Sequence, residues 1–197
     1  NQEYVSEAGG IETGNTDSKD TSRDGESNND TNQERADNQV IHSKSDFIMS
    51  IEVSLTDRLE KGEIILLDGG IGTELERLGA PMDHEVWCAL ALETHPNLVK
   101  KVHRSYIEAG ADIITVNSFA STRKALENAK LEQNFDQWNR LAVHLAKDAL
   151  QQCNPDWPVY IAGSVSTYGY SPDNSNNNGE LGLYLQEQAQ LLIESGV

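Results

Sequence analysis

From residue 64 onward, short apolar runs alternate with longer stretches of helical spacing. Ile64 to Leu67, Ala111 to Val116 and Val159 to Ala162 are brief, apolar and rich in β-branched side chains, which predicts strands buried on both faces. Helices are predicted over Ser54 to Lys61, Thr73 to Leu78, Asn97 to Ala109, Thr122 to Glu127, Asp136 to Gln152 and Glu180 to Glu194. The third is the clearest: Leu98, Val99, Val102, Tyr106 and Ile107 fall on one helical face, and Gly110 follows as a C-cap. Residues 79–96 hold Pro81, Trp87 and Pro96 and read as an irregular crossing with room for one helical turn. Ser171 to Asn178 reads as an exposed, Asn-rich loop.

The resulting order is β-α-β-α-β-α, the pattern of an α/β fold with a parallel sheet covered by helices. Each predicted strand stops at small or polar residues: Asp68-Gly69-Gly70, Asn117-Ser118-Phe119 and Gly163-Ser164. In a parallel architecture those ends open on one face, so Asp68, Asn117 and Ser164 are expected to meet there. A closed (β/α)8 barrel and an open doubly wound sheet both fit this order. Three units do not close a barrel.

Composition changes near residue 47. Asn1 to Asp46 is dominated by Asn, Asp, Glu, Ser, Thr and Gly and has too little apolar surface to offset the entropy of ordering. Residues 1–48 are therefore expected to be a disordered acidic leader, with Met49 a natural start for a folded domain over 49–197. The formal net charge of −17 disfavours phosphate backbones and anionic lipid surfaces, so neither nucleic acid nor membrane is an expected partner. Cys88 and Cys153 are far apart and form no metal-ligand spacing. So few cysteines point to a reducing, cytoplasmic setting.

The segment Leu66 to Gly79, LLDGGIGTELERLG, carries candidate chemistry. A strand delivers Asp68 to its end, and Gly69 and Gly70 let the backbone turn tightly and approach a ligand. The following helix would present free N–H groups near Thr73, where a carboxylate can sit. A carboxylate beside such donors can hold both ends of an amino-acid zwitterion. The plainer alternative is that Asp68 only caps the helix. The segment is neither a Walker loop nor a GxGxxG turn.

DGGIGTELERLG, THPNLVKKVHRSYIEAGADIITVNSF and VYIAGSVSTYG together resemble the homocysteine S-methyltransferase family, in order and spacing, from about Ile64 to Val197. The resemblance implies the N-terminal part of a (β/α)8 barrel, incomplete in this chain. It also implies methyl transfer to the sulfur of homocysteine, giving methionine, from a small donor such as S-methylmethionine, S-adenosylmethionine or betaine. Zinc, held by three cysteines in later segments of the family, would activate the thiol, and this chain ends before those segments. Asp68, Gly69 and Gly70 match the family's homocysteine-binding turn, with Thr73 opening the helix behind it. Asn117, Phe119 and Ser164 match pocket-lining positions. Some relatives carry Tyr where Phe119 stands, so Phe119 can supply apolar wall but no hydrogen bond. Cys88 and Cys153 match no ligand position, and His103 reads as structural or solvated. No catalytic residue or metal ligand is assigned within the chain. Two rival readings remain: a non-catalytic fragment or interaction module of the same fold, and an unrelated (β/α) enzyme sharing the DGG turn.

Overall fold

The computed structural model describes residues 54–170 and 178–197. The expected leader, and all but the last residue of the Asn-rich loop, lie outside the described residues. What is described is a mixed α/β structure, mostly helical, around a small parallel sheet.

The first helix, α1 (Leu55–Glu60), begins at Ser54, whose hydroxyl accepts the Thr56 N–H. The expected strand over Ile64 to Leu67 contracts to a single parallel bridge, Leu67 to Ile113. Its backbone bonds run to one side: Asp112 N–H and Ile113 N–H donate to the Leu66 carbonyl, and Asp68 N–H donates to the Ile113 carbonyl. Among the described residues no strand pairs its other edge. Ile64, Leu66 and Leu67 are consequently 83%, 53% and 69% exposed, not buried as their composition predicts.

Helix α2 (Ile71–Arg77) starts two residues earlier than its periodicity predicts, straight from the Gly70 turn. The crossing contains a 3-10 turn (Cys88–Leu90) and the one-turn α3 (Ala91–Thr94). Pro96 then opens α4 (Pro96–Glu108), where its missing N–H costs nothing, and Gly110 at φ +98° ends it in the left-handed region. The second strand segment is β1 (Ile113–Thr115). Helix α5 (Arg123–Asn128) is capped by the Thr122 hydroxyl on the Ala125 N–H. After a 3-10 turn (Glu132–Asn134) comes α6 (Phe135–Cys153), then β2 (Tyr160–Ala162) and α7 (Asn178–Ser195).

β1 pairs in parallel with β2, aligning Ile113 with Tyr160, Ile114 with Ile161 and Thr115 with Ala162. Helices α4 and α6 pack face to face, and α7 packs on α6. Val99, Val102, Ile107, Trp138, Phe135 and Leu192 are almost wholly buried in this layer. Each such side chain stabilises the fold by roughly 1.5–3 kcal/mol. At the opposite end from the strand termini, the Asp112 carboxylate accepts the Leu66 N–H and an Arg58 guanidinium N–H, both at 2.9 Å. Those contacts hold its carboxyl below the usual range, the Leu66 bond contributing most.

His103 is fully buried on α4, and neither ring nitrogen has a hydrogen-bond partner among the described residues. Burial lowers its pKa from 6.5 to about 4. The unfolded chain therefore binds a proton that the folded chain refuses between those values. Stability from this group is intact above the unfolded value, falls as pH drops through it, and stops falling below the folded value. Between pH 7 and pH 5 the loss is about 2 kcal/mol by linkage. His103→Leu is expected to remove that part of the acid-side decline, checked by urea unfolding of both proteins at the two pH values.

Candidate functional site

The parallel register brings the three strand ends together around a cavity of about 450 Å³. Asp68, Gly69, Gly70, Asn117, Phe119 and Ser164 all line it. Thr73 does not: it is exposed on α2, and its hydroxyl donates back to the Gly70 carbonyl at 3.1 Å.

Asp68 is half-buried and oriented by one residue. Its Oδ2 accepts the Thr115 N–H at 2.7 Å, and its Oδ1 accepts the Thr115 hydroxyl at 3.0 Å. Burial pushes the carboxyl above its ordinary value, while the two Thr115 bonds pull the other way without cancelling the rise. Among the described residues the side-chain carboxylate takes its hydrogen bonds from the neutral donors of Thr115. Each carboxylate oxygen keeps acceptor capacity for a further donor.

The glycines of the turn are sites of close approach. A Cβ on Gly69 would fall 2.7 Å from the Tyr106 hydroxyl, which donates to the Gly70 carbonyl at 3.3 Å. A Cβ on Gly72 would fall 2.6 Å from the Trp87 ring. Trp87 itself sits at φ +40°, a conformation that non-glycine residues adopt only when the surroundings hold them there. Its ring meets Phe119 edge-on at 6.1 Å and stacks with Tyr168 at 6.5 Å, and Phe119 and Tyr168 lie 5.5 Å apart. Trp87 and Phe119 thus give the cavity an aromatic wall, with Tyr168 behind it.

Asn117 lines the cavity as a fastening. Its Nδ2 donates to the Cys88 carbonyl, and its Oδ1 accepts the Cys88 thiol, each at 3.1 Å. Burial pushes the Cys88 thiol up to about 12, so it stays protonated at neutral pH. It is neither a nucleophile nor a ready metal ligand in this state. Cys153 lies at the end of α6 with its sulfur 3.9 Å from the Arg104 carbonyl. Among the described residues no three His, Cys, Asp or Glu side chains converge to hold a metal ion, so these residues do not fit a zinc site by themselves.

The lining residues that the sequence reading did not assign to the site include Thr115, Trp87 and Cys88. Thr115 carries a β-branched strand signal that hides its second role. Trp87 and Cys88 lie in the crossing, where no periodicity marks a face.

A family model described as homocysteine S-methyltransferase matches residues 65–197. Homocysteine S-methyltransferase 4 of Zea mays is 34% identical over 134 residues, covering 62% of this chain and 39% of that protein. Selenocysteine Se-methyltransferase of Brassica oleracea var. italica is 33% identical over 160 residues, covering 70% and 46%. Among solved structures, the metallated form of the homocysteine methyltransferase MmuM from Escherichia coli matches with a TM-score of 0.60 at 25% identity, covering 71% of this chain and 53% of that one. The chain thus spans between 39% and 53% of the length of these relatives.

Gly72→Ala separates the steric role of the turn from helix propensity. Inside a helix, Ala ordinarily gains about 1 kcal/mol over Gly. Here the new methyl group meets a Trp87 ring pinned by Phe119 and Tyr168. Overpacking of this kind costs about 1–3 kcal/mol, so the variant is expected to be less stable than wild type in thermal unfolding.

Proposed function

The chain belongs to the homocysteine S-methyltransferase family, and on that premise we propose that the protein it comes from transfers a methyl group to the sulfur of homocysteine, giving methionine. The single observation that carries this reading is the cavity itself. It joins a half-buried carboxylate, Asp68, to an aromatic wall, Trp87 and Phe119. A carboxylate balanced by neutral donors gains most from a ligand ammonium, which the amino group of homocysteine supplies. Aromatic faces attract onium methyl groups, the chemistry shared by sulfonium and quaternary ammonium donors. Phe119 has no hydroxyl, so its share in donor binding is contact and quadrupole alone.

In this reading Asp68 binds and orients the acceptor's ammonium, and Thr115 holds the carboxylate in place. Gly69 and Gly70 let the ligand and Tyr106 approach the turn from either side. The architecture we propose is the opening part of a (β/α)8 barrel, with the exposed Ile64, Leu66 and Leu67 on its unpaired side. Zinc would supply the thiolate form of the acceptor, whose sulfur is otherwise mostly protonated at neutral pH. Its ligands are proposed to lie outside the described residues, because no three-ligand cluster is present among them. A cytoplasmic location belongs to the same proposal and rests on the two unpaired cysteines.

Two measurements test it. In the full-length protein, Asp68→Asn removes the charge but keeps the size. Homocysteine affinity by titration calorimetry is expected to fall about 10- to 100-fold, since a charge-assisted hydrogen bond contributes about 1.5–3 kcal/mol. Wild-type affinity should also fall as pH drops through the raised Asp68 pKa, because protonation removes the anion that the ammonium needs. Retained affinity with a collapsed melting temperature would make Asp68 a structural cap.

The second measurement uses residues 1–197 alone. They are expected to retain less than one zinc per chain after dialysis and to form no methionine from homocysteine with S-methylmethionine, S-adenosylmethionine or betaine. Stoichiometric zinc with turnover from this chain would overturn the placement of the metal ligands.

A further inference from the structure

Behind the aromatic wall lies a buried polar network unlike the rest of the core. Asn139 on α6 and Gln188 on α7 are 0% and 1% exposed, and Ser118 and Ser121, in the loop after β1, are both 0%. Gln188 Nε2 donates to the Ser118 carbonyl at 2.9 Å and to Asn139 Oδ1 at 3.1 Å. Asn139 Nδ2 donates to the Ser121 carbonyl at 2.9 Å and to the Phe135 carbonyl at 2.8 Å. The Ser121 hydroxyl, with one proton, donates to either Asn139 Oδ1 or the Ser118 carbonyl. The Ser118 hydroxyl donates to the Ser164 carbonyl and accepts the Ser164 N–H.

Both N–H groups of each carboxamide are therefore used, and two of the four bonds end on the carbonyls of Ser118 and Ser121. Those two carbonyls bracket Phe119 and Ala120. The segment between them carries the ring that meets Trp87, and Asn117 just before it fastens Cys88. An apolar pair at 139 and 188 would fill the same space without the cost of burying two amides. What an apolar pair cannot do is aim two backbone carbonyls. We propose that Asn139 and Gln188 are positioning residues: they fix the β1–α5 loop and so set the Phe119 ring against Trp87 for binding of the onium methyl donor. This inference rests on the methyltransferase reading for its ligand. The loop-fixing part stands on the hydrogen bonds alone.

Neither side chain lines the cavity, so their effect must pass through the loop. Gln188→Met keeps the length and removes both donations. Ser121→Ala is milder, deleting one hydroxyl from the network, and serves if the first variant folds poorly. Both are made in the full-length protein and read in two ways. The first is amide hydrogen exchange in peptides covering Asn117 to Thr122, against peptides covering β1 and β2. The second is steady-state kinetics with S-methylmethionine and homocysteine.

Faster exchange confined to the loop is expected, together with a KM for S-methylmethionine raised about three- to tenfold, the equivalent of one neutral hydrogen bond. The kcat and the KM for homocysteine should stay within about twofold of wild type, as for a loss of donor binding alone. Unchanged donor KM in both variants, whatever happens to the melting temperature, overturns the positioning role. So does an equal rise in both KM values, which would mark a disturbance of the whole site; loss of folded protein would lower the apparent kcat and leave both KM values unchanged. If wild type transfers no methyl group, the methyltransferase reading fails by itself. The exchange data then decide the loop-fixing part: unchanged exchange refutes it, and faster exchange confined to the loop upholds it.

Discussion

The site depends on the way the parallel ladder ends at β1. Ile113 bonds to Leu66 and Asp68 on one side, and β2 aligns on the other. In a regular parallel ladder the next acceptor for the Thr115 N–H would be the main-chain carbonyl of Asp68. Here the Asp68 carboxylate takes that place, and the Thr115 hydroxyl adds a second bond. The strand thus terminates by turning its side chain into the final rung. Its backbone is released to make the Gly69-Gly70 turn, and the carboxylate is left at the mouth of the cavity. Because the crossovers are helical and the strands parallel, the ends of β1 and β2 open beside it, which is how Phe119 and Ser164 reach the same space.

Holding that geometry takes contacts on two levels. At the far end of the strands, Asp112 accepts Leu66 N–H and Arg58, so the first segment is tied to β1 at both of its ends despite pairing through a single bridge. At the near end, close approach does the fastening. Tyr106 lies against Gly69, and Trp87 lies against Gly72 at a backbone angle its own side chain disfavours. The strain at Trp87 is sustained by ring contacts with Phe119 and Tyr168 and by the Asn117 carboxamide gripping Cys88 from both sides.

Helices were legible in the sequence because periodicity is a property of the segment itself; α4 and α6 fall within a residue of their predicted ends. Strand length was not, because an apolar run reports what a strand could bury and says nothing of which neighbour pairs with it. Ile64 to Leu67 shows this: the run is apolar, yet three of its four side chains are exposed. In the site, Asp68, Gly69 and Gly70 announce themselves through a turn signature. Thr115, Trp87 and Cys88 do not, since their placement follows from tertiary packing. Gln188 was the least visible of all, a glutamine in a polar Gln186-Glu187-Gln188 run of its helix that is nonetheless almost fully buried.

The carboxylate and the rings that line the cavity both attract positive charge, by different physics. Asp68 is an anion whose desolvation is only partly offset by neutral donors, so its charge is costly there, which is why its pKa rises. A ligand ammonium removes that cost by direct pairing. The aromatic wall has no charge, yet the negative faces of Trp87 and Phe119 attract a cation spread over methyl groups better than a hydrated ammonium, which loses more water on contact. The proposed reactants therefore sort themselves: the acceptor's compact ammonium belongs at the carboxylate and the donor's diffuse onium at the rings. Exchanging the two would leave the carboxylate facing a shielded charge and the rings facing a group that prefers water. Orientation of the two substrates toward one another would then follow from this asymmetry before any metal-bound sulfur is considered.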